Sequence, residues 1–346
     1  MDISNATAAP VKSKPRSREP DNPAAIRGGG PPPPRGAAVR IVTFRDAGPV
    51  LHRIFEETIA NFPPCPSDEQ LAALIAEDIP RVDERCPLLR KVVSCLSSPG
   101  GPETLILEGL PSHGDPANPR LEQAVALAVC MLAGHGLEPY QFREEKGGRL
   151  ISMLTPTPGF EGLQSGNSAT AFGHHADFAY LPAWARPAYN VLFGVESDGT
   201  ETTYASARDA EARLDGVLRS TLRSSRFIHP IPGEMGIADG GRAAPVLFDA
   251  PCGSVGIAIR KETRPADPDD GVAQVALDRL REELARVEIP FRLEPGTYAL
   301  VNNVLGTHSR GQIGAEGRRT IGRIYLQDLA ELRKGVRIFS ATQPLC

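Results

Sequence analysis

The stretch Ala171-Phe172-Gly173-His174-His175-Ala176-Asp177 decides how the rest of the chain is read. Its last three residues put an imidazole and a carboxylate one residue apart. If the backbone is extended there, side chains alternate between faces, and His175 and Asp177 point the same way. Together they supply two of the three ligands of a 2-His-1-carboxylate metal site. By the same alternation, His174 points to the opposite face, and only His175 has the x-Asp spacing.

The third ligand has to come from elsewhere in the chain. Of the other histidines (His52, His113, His135, His229 and His308), His308 stands out by its surroundings, YALVNNVLGTHSRG. An apolar strand with two asparagines reaches a short turn and then meets the histidine. Asn302, Asn303 and Ser309 are candidates to orient its ring. Farther on, HSRGQIGAEGRRTIGR contains Arg319 and Arg323, an even number of positions apart and able to share a face of an extended segment. Arginine is seldom buried without an anionic partner, and its planar fork suits a carboxylate. Arg318 reads as a surface residue in a charged loop.

Outward from these motifs, the composition is that of an ordinary globular chain. Of 346 residues, 41% are hydrophobic and 23% charged, and the formal charge of −4 gives no reason to expect nucleic acid or an anionic membrane as partner. No apolar run reaches 18 residues. The N-terminus lacks the apolar core of a secretory signal. Six scattered cysteines without a CxxC pair read as free thiols in a reducing cytoplasm. Residues 1–38, with GGGPPPPRG, bury too little apolar surface to order themselves and read as a Pro/Gly-rich disordered tail. Residues 39–346 then form a single domain.

Within that domain, Ser67 to Gln70 spells a capping box, predicting a helix over 68–79. Pro119 opens a second helix, whose apolar centre AVALAVCML implies burial on most sides. Helices are expected over 208–224 and, amphipathic, over 267–287. Strands are expected at 149–154, 189–195, 200–206, 246–250, 255–259, 298–304 and 322–326. Short strands between Gly/Pro-rich turns, with a few flanking helices, point to a mainly β double-sheet jelly roll, a double-stranded β-helix, rather than a βαβ repeat. The Gly/Ser/Asn-rich stretch before the histidines, 159–173, reads as a wall or lid.

In this order, the motifs resemble the Fe(II)/2-oxoglutarate-dependent dioxygenases, particularly their taurine dioxygenase and clavaminate synthase-like branch. That family has H-x-D/E, a distal His, then an Arg for the far carboxylate of 2-oxoglutarate. His175-x-Asp177, His308 and Arg319 match in order and spacing. Glu201-Thr202-Thr203-Tyr204-Ala205-Ser206 resembles the branch's D-T-x-F/W-A-S/N stretch, with Glu201 in place of the usual Asp. The resemblance spans about residues 149–326 and is patchy outside the motifs.

The resemblance implies Fe(II) held by His175, Asp177 and His308, with 2-oxoglutarate bound by Thr202 and Arg319. Arg323 is a further candidate, for cosubstrate or for an anionic substrate group. It also implies O2 as oxidant and succinate as co-product. A carboxylate at Asp177, where halogenating relatives have Gly or Ala, implies oxygenation. The expected substrate is a small polar molecule, a free or carrier-bound amino acid, in secondary metabolism. Gln164, Ser168 and Arg310 are its candidate contacts. Two other readings stand beside this one: the same triad holding Zn for hydrolysis, and a ligand-binding jelly roll without turnover. The first leaves Thr202, Arg319 and Arg323 without a purpose, and the intact triad with its arginine argues against the second.

Overall fold

A computed structural model of the chain describes residues 38–60, 67–97, 100–134, 136–142, 147–160, 165–231, 241–314 and 317–334. Most of the expected tail, residues 1–37, and the candidate contact Gln164 lie outside the described residues.

The first part of the described chain is mainly helical. After β1 (Val39–Thr43) come α1 (Gly48–Ala60), α2 (Asp68–Arg85) and α3 (Pro87–Val93), then β2 (Thr104–Glu108) and α4 (Arg120–Ala133). The capping box forms as expected: Ser67 Oγ accepts from the Gln70 amide, and Gln70 Oε1 accepts from the Ser67 amide. The helix does not stop at residue 79. It continues through Pro80 to Arg85 because the buried stripe Leu71, Ile75 and Val82 continues past the proline. Burial on that face outweighs the one backbone hydrogen bond that Pro80 cannot make.

The strands follow: β3 (Leu137–Tyr140), β4 (Ile151–Leu154), β5 (Phe172–His175), β6 (Tyr189–Glu196) and β7 (Glu201–Ser206). The helix expected over 208–224 is instead two short ones, α5 (Ala207–Glu211) and α6 (Gly216–Leu222). Asp215 breaks it by accepting from the Leu218 amide as the N-cap of the second, with Gly216 next to it. Next come β8 (Phe227–Pro230), β9 (Gly241–Ala244), β10 (Leu247–Asp249), β11 (Val255–Ile257), β12 (Arg264–Pro265) and α7 (Gly271–Val287). The chain closes with β13 (Ile289–Arg292), β14 (Tyr298–Asn302), β15 (Gly306–Arg310) and β16 (Thr320–Asp328).

Two sheets make the double-stranded β-helix. The larger runs β1-β2-β14-β6-β16-β3, with β4 also paired to β16. The smaller runs β13-β7-β15-β5. All of these pairings are antiparallel except β1 with β2. Residue parity then sorts the faces. On β6, Val191, Phe193 and Val195 pack outward against α1–α4, with Tyr298 and Leu300 of β14 beside them. Leu192, Ala299, Val301 and Ile321 turn inward and meet Tyr204 and Phe291 of the smaller sheet. A third cluster packs α5–α7 against Ala205, Leu247 and Ile257. The inward parity of β6, β7, β15 and β16 includes Asn190, Thr202, His308, Arg310 and Arg323.

Cys86, Cys95, Cys130 and Cys252 are free thiols. Among the described residues no helix is long and apolar enough to cross a membrane.

Candidate active site

His175 is the last residue of β5, and register places it directly opposite His308 on β15. The extended backbone stops there. The Ala176 amide leaves the ladder to donate to the Ile259 carbonyl, and Asp177 starts a turn in which Phe178 has φ 55°. A turn, rather than strand alternation, therefore returns the Asp177 carboxylate to the histidines. Its Oδ1 lies 3.5 Å from His175 Nε2 and its Oδ2 3.9 Å from His308 Nε2. One ligand atom from each residue lies within 4.8 Å of the others, and all three residues are buried. His174 faces away, its Nε2 2.9 Å from Glu288 Oε2 and its Nδ1 3.1 Å from Thr307 Oγ1.

Each ligand side chain is held differently. His175 Nδ1 lies 2.9 Å from the Gly173 carbonyl. A carbonyl only accepts, so Nδ1 holds the proton and Nε2 presents its lone pair to the site. The Phe172 ring stacks on the imidazole with centroids 3.7 Å apart. Asn303 grips the Asp177 backbone from both sides: its Oδ1 accepts from the Asp177 amide at 2.7 Å, and its Nδ2 donates to the Asp177 carbonyl at 2.9 Å. Asn190 Nδ2 donates to Asp177 Oδ2 at 2.9 Å, and Arg323 Nη1 lies 3.4 Å from the same oxygen.

None of Asn302, Asn303 and Ser309 orients His308. Asn302 Oδ1 accepts from the Val304 and Leu305 amides, and Ser309 Oγ meets Thr203 Oγ1 at 2.6 Å. His308 Nδ1 is buried without a hydrogen-bond partner among the described residues. Asn190 was missed at the sequence level, although a lone amide inside the apolar run YNVLFGV was a visible signal.

The electrostatics suit a divalent cation. Burial opposes ionisation of Asp177, but Arg323 and the two imidazoles outweigh it and hold the carboxyl below the usual range. His308 is pushed down to about 3, first by burial and then by His175. A neutral imidazole and an ionised carboxylate are the forms that ligate metal. Two imidazole nitrogens and one carboxylate oxygen on one face fit Fe(II) and leave its other positions to small molecules.

Beside the triad, Arg319 lies just before β16, and Thr202 faces it from β7. Arg319 is 4% exposed and Thr202 3%, and Arg319 Nη2 donates to Thr202 Oγ1 at 3.2 Å. Among the described residues no ion pair neutralises this guanidinium. Burial and then Arg310 pull it down to about 10, while Asp198 acts in the opposite direction. A buried arginine bonded to one hydroxyl fits the far carboxylate of a dicarboxylic acid. Arg318 is exposed.

Two of the candidate substrate contacts, Arg310 and Ser168, also bond within the protein. Arg310 Nη1 and Nη2 donate to the carbonyls of Ser168 and Thr170 at 2.7 and 2.6 Å. Both terminal nitrogens therefore anchor the loop before the histidines. Ser168 is 1% exposed, and its Oγ accepts from the Thr170 amide. Further backbone bonds, Thr157 to Asn167 and Ile313 to Ala169, tie down the described part of the segment that follows residue 164.

No protein-family model matches the chain. Over 236 residues it is 27% identical to an L-asparagine oxygenase from Streptomyces coelicolor, covering 64% of this chain and 69% of that protein. Over 244 residues it is 28% identical to clavaminate synthase 2 from Streptomyces clavuligerus, covering 64% and 73%. A solved asparagine oxygenase in complex with Fe(II), 2S,3S-3-hydroxyasparagine and succinate superposes with TM-score 0.72 at 20% identity, over 83% of this chain and 93% of that one. The non-heme iron oxygenase OrfP in complex with Fe and alpha-ketoglutaric acid gives TM-score 0.66 at 17% identity, over 84% and 94%.

Proposed function

Given that the chain belongs to the Fe(II)/2-oxoglutarate-dependent dioxygenase superfamily, in its taurine dioxygenase and clavaminate synthase-like branch, we propose that it hydroxylates an unactivated C–H bond of a free or carrier-bound amino acid. The observation that carries this reading is the pairing of two features. A buried His-Asp-His donor set lies beside a buried arginine that has a hydroxyl partner and, among the described residues, no carboxylate ion pair. A zinc hydrolase needs the first feature and has no use for the second.

His175, Asp177 and His308 hold the iron. With 2-oxoglutarate and O2, bound iron supplies the oxidising power that an unactivated C–H bond demands and that no side chain has. Arg319 and the Thr202 hydroxyl take the C5 carboxylate of 2-oxoglutarate and so fix the orientation of its reactive end. Arg323, against Asp177, meets an anionic group of cosubstrate or substrate. Asn190 and Asn303 keep the Asp177 carboxylate aimed at the metal. The wall latched by Arg310 helps to exclude water. One relative is named an L-asparagine oxygenase and a solved neighbour holds 2S,3S-3-hydroxyasparagine, which supports that substrate class here. The free thiols are compatible with a cytoplasmic enzyme.

The test is a substrate screen. Succinate formation is followed against a panel of amino acids, and the product is identified by mass and NMR. Beforehand, anaerobic Fe(II) and 2-oxoglutarate are expected to give a weak visible charge-transfer band. No band, together with Zn-dependent hydrolysis, sinks the reading. A band that persists under O2 with every substrate points instead to a binding protein.

A further inference from the structure

Away from the triad, a second group of metal-capable side chains converges on the outer, helical side of the molecule. His52 and Glu56 are four residues apart on α1 and share one face of that helix. His113 approaches them from the loop between β2 and α4. Its Nε2 lies 2.7 Å from Glu56 Oε1, and its ring meets the His52 ring edge-on with centroids 5.5 Å apart. One ligand atom from each of the three lies within 4.8 Å of the others. We propose that His52, Glu56 and His113 form a second site for a divalent transition metal of the zinc class, independent of the iron site.

Both sides of the site are held before any ion arrives. On one side, α1 buries Leu51, Ile54 and Phe55, which fixes the rotation of the helix and the outward aim of His52 and Glu56. On the other, Glu122 of α4 is fully buried and pins the loop around His113. Its Oε1 accepts from Ser112 Oγ at 2.7 Å, from the His113 amide at 2.7 Å and from the Gly114 amide at 3.0 Å. The two sides are also packed together. A Cβ at Gly48, where α1 begins, would lie 2.7 Å from the Gly109 carbonyl oxygen just after β2.

A tetrahedral zinc with bonds of about 2.0–2.1 Å places its ligand atoms about 3.3 Å apart. Rotation of partly exposed side chains closes 4.8 Å to that distance. The His113 and Glu56 side chains are 36% and 42% exposed, so the ion has an entry path and water completes its coordination. Two imidazoles and one carboxylate suit zinc, nickel or copper better than magnesium or calcium. Occupancy joins α1 to the β2–α4 loop and stabilises the folded form by mass action.

The test uses untagged, full-length, metal-stripped protein and Zn2+ as probe. Uptake is read by competition with a chromophoric chelator. An Asp177→Ala, His308→Ala variant removes the iron site and is expected still to take up one equivalent. In that background His52→Ala with His113→Ala is expected to weaken uptake at least ~100-fold, the upper end of what losing even an outer partner of a metal ligand costs. Should the iron-site variant fail to fold, wild type is expected to take up two equivalents and His52→Ala, His113→Ala one. Zinc is also expected to raise the melting temperature of the wild-type chain more than that of the His52→Ala, His113→Ala variant. Uptake unchanged by these substitutions, no equivalent taken up by the iron-site variant, or no second equivalent taken up by wild type overturns the proposal.

Discussion

At the scale of single residues the site divides the work sharply, and each share can be removed. Asp177→Ala deletes one ligand and leaves two, so succinate formation with substrate is expected to fall to background, with iron content falling alongside. Arg319→Ala removes a charge-assisted pair of about 1.5–3 kcal/mol, so the 2-oxoglutarate concentration for half-maximal rate is expected to rise roughly 10- to 150-fold. The maximal rate at saturating cosubstrate should change much less. An unchanged requirement would transfer the C5 carboxylate to Arg323 or another residue. Asn190→Ala, which removes one of the two donors on Asp177 Oδ2, is expected to lower iron affinity about 10–100-fold in a chelator titration. The ligands were legible because H-x-D and a distal His are local signals. The residues that aim them were not, because they depend on pairing. Asn303 was noticed, but it holds Asp177 rather than His308. Arg310 was noticed, but it holds a loop.

At the scale of elements, legibility followed the strength of the local pattern. The capped α2, the apolar α4 and the strands β6, β14 and β16 each announce themselves by caps or by runs of apolar residues. β13 and β15 do not. In Ile289–Arg292 only Phe291 is buried, and Gly306–Arg310 reads as a loop until its neighbours pair with it. The larger sheet also has close packing that no periodicity reveals. Gly322 sits opposite Phe193, and a Cβ there would lie 1.9 Å from the ring. Gly322→Ala is expected to destabilise the fold by about 1–3 kcal/mol through overpacking, read as a lower urea midpoint at unchanged slope. Because Arg323 is the next residue, iron affinity should fall in the same variant.

At the scale of the whole molecule, buried neutral histidines set the acid limit. His308 and His229 are pushed down to about 3 and about 4, burial being the main cause for each. The unfolded chain takes up these protons near pH 6.5 while the folded chain excludes them, so stability is complete above that pH and falls as pH descends towards 4. For His229 alone the loss is on the order of 3 kcal/mol. The melting temperature of the metal-free protein is expected to drop steadily from pH 7 to 5, and His229→Leu to flatten that slope. The order of strands in the larger sheet has a kinetic consequence as well. β1 pairs with β2, and β2 must wait for β14, with Leu105 opposite Leu300. β6 in turn lies between β14 and β16. Helices α1–α4 therefore leave the ribosome without the strands that complete the sheet they pack on. Closing such distant pairings is slow, and apolar helix faces stay open in the meantime. Synthesis through Asp328 is the earliest point at which the barrel can close, so expression yield should depend on chaperones and growth temperature more than on the stability of the finished enzyme.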